Sequence, residues 1–179
     1  EEEYIADIRG ASESYRNEDR DKYRRPVVTR AYEAPQAMFD AHSYSKGSLV
    51  LVMLEDLLGQ DGMRKGIALY LKRHAFQSVE TDQFRTAMED ATGRSLSWFF
   101  DQWIYSGGYP EFKVSWKWDA VSRLVRVTVD QTQCVDELTP VFRVPVEIAI
   151  LPKEDGDRGS LRGRSLTFYG SLRRAFMLP

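Results

Sequence analysis

The sequence has little of what disulfide and metal chemistry require. Of 179 residues, one is cysteine (Cys134) and two are histidines (His42 and His74). A single cysteine excludes an internal disulfide and leaves no basis for a cysteine-ligated structural zinc. Neither histidine belongs to a His-x-x-x-His pair. Zinc needs three or four ligands in fixed geometry, so the chain is not expected to hold a complete zinc site. His74 falls at a helix end, where a cation or a hydrogen bond to a free carbonyl is favourable. An excess of charge of one sign is also lacking. The net charge of −2 gives no bulk attraction to nucleic acid or to an anionic membrane surface. The longest apolar stretch, Leu49 to Leu54, is far too short to span a bilayer. No solenoid-length repeat and no low-complexity tract occurs. Glu1-Glu2-Glu3 is the opposite of a basic leader region. The first residue is not Met, and the expectation is a chain that starts inside a longer protein.

What is present is a change of hydrophobic period. Through residue 109 apolar residues recur at helical spacing, and after 110 they alternate. Tyr4, Ile5, Ile8, Ala11 and Tyr15 share one helical face. Glu18 to Tyr32 is charged and reads as a surface loop with extended parts. Ser43 to Leu58 reads as a helix that is apolar on nearly all sides, hence central and buried. Gly59 is placed to stop it in the left-handed conformation. A third helix spans about Asp61 to His74, with Asp61 as N-cap and Met63, Ile67, Tyr70, Leu71 and His74 as its stripe. Thr81 or Asp82 caps a fourth, which stops at Gly93 with Phe84, Ala87, Met88 and Ala91 inward. Ser95 or Ser97 caps a fifth, with Leu96, Phe99, Phe100, Trp103 and Ile104, ending at Gly107-Gly108.

Strand alternation then appears in Phe112-Val114-Trp116-Trp118, in Val125-Val127-Val129 and in Phe142 to Ile150. Leu166-Phe168 and Leu172-Phe176-Leu178 suggest two more strands. Turns are expected at Asp119 to Ser122, Lys153 to Ser160 and Gly170-Ser171. Pro145 argues for an edge position. The expected fold is α+β in two units. Residues 1–109 form a helical unit, and residues 110–179 form a β-sandwich or part of one.

Most candidate chemistry dissolves on inspection. Glu55-Asp56 and Glu89-Asp90 are neighbours on helices, point apart, and read as solvated faces. Cys134 lies in a polar loop with no activating histidine nearby in sequence. Gly107-Gly108 matches no phosphate-binding fingerprint. Trp116 and Trp118 share a strand face and suit a core or an interface better than a stacking platform. Tyr44 is left. It stands at the mouth of an apolar helix, three residues before Gly47, where a phenol can be held rigidly beside a pocket.

The surrounding residues resemble a known family. Tyr44-Ser45-Lys46-Gly47 resembles the Tyr-x-Lys-Gly motif of the aminopeptidase N-type zinc peptidases. Val52 to Gly59, Gly66 to His74, Thr81-Asp82-Gln83-Phe84, Thr92-Gly93, Trp103 and Gly108-Tyr109-Pro110 follow in the family's order and spacing. The resemblance implies the C-terminal half of a thermolysin-like catalytic domain followed by an Ig-like β-sandwich. It implies an enzyme that removes N-terminal residues from peptides with zinc held by His-Glu-x-x-His and a later Glu. Neither that motif nor the family's Gly-x-Met-Glu-Asn strand occurs in the sequence. The expectation is therefore a fragment with no zinc ligands of its own, inactive alone, from a parent that binds zinc. By motif match Tyr44 would stabilise the oxyanion. Lys46 would tie down the start of the helix or contact substrate, and the cleft face would be exposed and able to self-associate. A non-catalytic peptidase-like scaffold is the competing expectation, and a helical adaptor carrying an Ig-like binding module is a third.

Overall fold

The computed structural model describes residues 2–121, 124–150, 164–171 and 173–178. Two compact units emerge. One comprises residues 1–108 with the loop Asp136–Pro140, and the other residues 109–135 and 141–179.

The helical unit begins with α1, Glu2–Asp21. Its apolar face is only partly used. Tyr15 and Asp19 are buried, while Tyr4 and Ile5 stand exposed. The charged stretch from Glu18 is not simply a surface loop. Its first four residues complete α1, and Arg25 is buried because its guanidinium finds a carboxylate partner in Asp40. A short 3₁₀ turn, Pro35–Met38, leads to a five-residue π-helical turn, His42–Lys46.

From this turn runs α2, Gly47–Arg73, broken by one non-helical residue. Gly59 has φ 75° and ψ 158°. The positive φ is as expected, but the ψ belongs to the mirror-extended region that essentially only glycine adopts, not to the left-handed helical cap. The expected pair of helices is thus a kinked rod. Arg94 donates to the Leu57 carbonyl beside the break. The first half of α2 is amphipathic rather than enclosed. Val50 and Leu54 are buried, but Leu51 is 45% exposed.

Helix α3, Thr81–Thr92, is capped one residue earlier than the first of the two expected caps. Glu80 is the N-cap, and the Gln83 side chain accepts the Glu80 N–H. Gly93 ends the helix in the left-handed conformation, φ 67°. Ala87 and Met88 are fully buried, and Met88 packs where Gly66 of α2 has no side chain. Helix α4, Ser97–Trp103, buries Leu96, Phe99, Phe100 and Trp103 as its period requires.

The β unit has five strands: β1 Phe112–Asp119, β2 Leu124–Gln131, β3 Arg143–Ile150, β4 Arg164–Ser171 and β5 Arg173–Leu178. All described pairings are antiparallel. They form a three-stranded sheet in the order β1-β2-β5 and a two-stranded sheet β3-β4. Pro145 lies opposite Tyr169 in the two-stranded sheet, where, among the described residues, each strand pairs along one edge. Val127 and Val129 are buried, but every residue of β1 is exposed, Trp116 at 73%. The Trp116–Trp118 pair is therefore not core. The turn at Asp119 is closed by its carboxylate, which accepts the Val121 N–H. β4 continues through Gly170 and Ser171. Ser122, Leu172 and the expected turn at Lys153 to Ser160 lie outside the described residues.

Candidate active site

The π turn is defined by the Lys46 N–H, which donates to the Ala41 carbonyl five residues back at 2.8 Å. Asp40 prepares it. Its Oδ1 accepts the Ser43 N–H at 2.9 Å, and its backbone carbonyl accepts from the Tyr44 N–H at 3.1 Å. Two residues either side of Tyr44, His42 and Lys46 point inward and are fully buried. Tyr44 between them points outward and is 62% exposed. Its ring lies 6.2 Å from that of Phe39.

Beside Tyr44 is a concavity of about 560 Å³ with walls from α2, α3 and α4. Tyr44, Leu51, Leu54, Tyr70, Phe84 and Phe100 line it, so it is apolar apart from the phenols and a few polar groups at its margin. Nothing in the motif alone marks Phe84 or Phe100 as wall residues. Their helical stripe identifies them only as inward-facing.

Lys46 does not face this hollow. Its Nζ donates to the Ser106 carbonyl at 2.8 Å and sits 5.2 Å from the centre of the Tyr15 ring. Burial pushes its pKa down to about 8, against the opposing pull of Asp19. The side chain braces the start of α2 from inside.

Two ion pairs flank the inward side of the turn. Asp19 receives Arg24 Nε at 2.8 Å and the Tyr15 hydroxyl at 3.2 Å. Asp40 receives Arg25 through two nitrogens, at 2.5 and 2.9 Å, and the Tyr23 hydroxyl at 2.7 Å. Burial works to raise both carboxyls. For Asp19, His42 and Arg24 outweigh it, and the pKa falls below the ordinary range. For Asp40, Arg25, Tyr23 and the Ser43 N–H outweigh it, and the pKa falls to about 2. The hydrogen bond to Asp40, aided by burial, raises Tyr23 to about 12. His42 lies between the two carboxylates. Its Nε2 is 3.5 Å from Asp19 and its Nδ1 is 3.4 Å from Asp40.

Sequence reasoning weighed His42 only as a metal ligand and found no motif. Glu18, Asp40 and His42 do come close enough in space to suggest a cation site. The oxygens of both carboxylates are already committed. Arg25 and Tyr23 occupy Asp40, while Lys22 and the Ala41 N–H occupy Glu18 at 3.0 and 2.6 Å. A divalent cation would meet a guanidinium at its ligand, so zinc does not fit this group. Glu89 likewise is not a merely solvated carboxylate. It accepts the Leu96 N–H at 2.7 Å and pairs with Arg85 at 2.7 Å, joining α3 to the start of α4. Cys134 is exposed, and His74 lies beside the Tyr70 ring.

The fold has a solved counterpart. Aminopeptidase A from Legionella pneumophila, crystallised in complex with aspartic acid, matches 97% of this chain and 20% of its own at a TM-score of 0.65 and 17% identity. At that identity the likeness is one of fold, and it is an α+β fold. Sequence comparison gives more. Glutamyl aminopeptidase from Bitis rhinoceros is 42% identical over 78 residues, 44% of this chain and 8% of the relative. Tricorn protease-interacting factor F2 from Thermoplasma volcanium is 40% identical over 117 residues, 65% of this chain and 14% of the relative. The Peptidase family M1 domain matches residues 3–103. That is more than half of the chain, and the chain belongs to this family. It spans between 8% and 14% of the length of these two curated relatives.

Proposed function

We propose that this chain is the part of a zinc-dependent aminopeptidase that supplies the oxyanion-stabilising tyrosine, Tyr44, with the zinc held by polypeptide outside it. The observation that carries this reading is an exposed phenol on a rigid turn, at the edge of an apolar concavity. It stands within the region matched to the peptidase family. When a peptide carbonyl is attacked, its oxygen gains charge and needs a donor already in place. A phenol keeps its proton at neutral pH and can donate that hydrogen bond without becoming an acid or base. The apolar walls beside it would exclude water and accept a side chain of a peptide substrate.

Lys46 enters this reading as scaffold. Its buried ammonium fixes the turn and does not touch substrate. The chain alone, without zinc ligands of its own, is expected to hydrolyse nothing. Its open apolar hollow makes self-association a further expectation, which sedimentation over a concentration series would measure.

The test is Tyr44→Phe in the full-length protein, assayed on an aminoacyl reporter substrate with metal content measured in parallel. The expected outcome is a fall in kcat of about 10²–10³-fold at unchanged zinc. Wild-type turnover in that variant would overturn the role of Tyr44. A full-length protein with neither zinc nor turnover would favour the non-catalytic scaffold instead.

A further inference from the structure

His42 combines three properties found together in no other described residue. It is completely buried. Neither ring nitrogen has an ordinary hydrogen-bond partner among the described residues. It is nonetheless flanked by a carboxylate on each side, Asp19 from α1 and Asp40 from just before the π turn. Its ring is stacked on Tyr23 at 5.2 Å and 19°, with Tyr15 edge-on at 5.4 Å. A residue needed only to fill this space would be hydrocarbon, because a buried polar ring without hydrogen bonds costs stability.

We infer that His42 is a positioning residue for Tyr44: clamped between Asp19 and Asp40 and between two tyrosine rings, it sets the rotation of the π turn and so the direction of the phenol. The inference rests on the catalytic reading of Tyr44 above.

The geometry supports it as follows. His42 and Lys46 lie two residues before and after Tyr44, and both are drawn inward. Any rotation of the turn that moves Tyr44 must also move these two anchors. Lys46 is tied to Ser106. His42 is wedged between a carboxylate of α1 and the carboxylate just before the turn, within 3.5 Å of each. Asp19 is fixed by Arg24, and Asp40 by Arg25. Arg25 also donates to the Ser43 hydroxyl at 2.8 Å, on the residue between His42 and Tyr44. A π turn carries one residue more than an α turn and is easily lost, so it needs such bracing. A displacement of about 1 Å at a catalytic group can cost on the order of 10²-fold in rate.

The deciding experiment is a double-mutant cycle in the full-length protein with His42→Leu, Tyr44→Phe and both together, all on the same reporter substrate. Leucine keeps most of the volume and removes both nitrogens. His42→Leu should lower kcat by about tenfold to a hundredfold, with KM within threefold of wild type and zinc content unchanged. In the Tyr44→Phe background the same substitution should change kcat less than twofold, because the hydroxyl it aims is already gone. An equal loss of kcat in both backgrounds would overturn the inference while leaving Tyr44 in place. So would wild-type kcat in His42→Leu. If Tyr44→Phe itself turns over like wild type, the functional reading falls and the inference falls with it. Should His42→Leu fail to fold, His42→Phe, which keeps a ring between the two tyrosines and removes both nitrogens, replaces it in the cycle and the same outcomes decide.

Discussion

The two units of the chain bury different kinds of side chain. Among the described residues, every buried polar or charged one belongs to the helical unit: Asp19, Arg25, His42, Lys46, Gln102 and Thr139. In the β unit the buried ones are Val127, Val129 and Phe142. Hydrocarbon is the simpler way to fill a core. Charges taken from water must be matched in close geometry merely to break even. Four of the six polar residues surround or belong to the turn that presents Tyr44. The chain has thus given up easy stability for a fixed direction around the proposed catalytic group.

The helical unit is most vulnerable at Arg25. Arg25→Met leaves Asp40 buried without its counter-charge, and urea unfolding should register a loss of about 3–5 kcal/mol. A loss below 1 kcal/mol would mean that the ionic brace does not hold the unit together. Acid should act on the same pair next. The pKa of Asp40 is about 2 in the folded chain against an ordinary value of 3.8. Its contribution is present above about pH 4 and is lost as pH falls toward 2, because the unfolded chain takes up the proton first. The loss amounts to roughly 2 kcal/mol, and Asp40→Asn should flatten that part of the pH–stability curve. In the β unit, Val129→Ala should cost about 1–2 kcal/mol with no dependence on pH across this range. Trp116→Ser, on the exposed face of β1, should change stability by less than about 0.5 kcal/mol.

Much of the architecture is legible in the sequence because it depends on local period and on single glycines. The helical stripe of Leu96, Phe99, Phe100 and Trp103 and the alternation that includes Val127 and Val129 correspond to buried faces. Gly93 is where the left-handed stop is needed. What the sequence conceals is anything decided by partners distant along the chain. Arg24-Arg25 looks like a solvated basic pair until Asp19 and Asp40 come to meet it. His42 looks unremarkable as a metal ligand, and its role as a wedge between two acids appears only once α1 packs on the turn. Leu51 looks like core because periodicity cannot say that a helix face is left open beside a hollow. For the candidate site, the position of Tyr44 could be named from its motif, but neither its supporting ion pairs nor the walls beside it could.

Gly66 carries a consequence of another kind. A methyl group at this position would lie 2.1 Å from the Met88 sulfur and 3.3 Å from the Met88 Cα, and Met88 has no exposed space into which to swing. The separation of α2 from α3 is therefore set by a missing side chain. Leu51 and Tyr70 on one helix and Phe84 on the other form opposing sides of the cavity next to Tyr44. Gly66→Ala would act as a wedge, parting the two helices at a cost of about 1–3 kcal/mol. It offers a means of tuning the width of that cavity, and with it the size of side chain admitted, without altering any atom that a guest would touch.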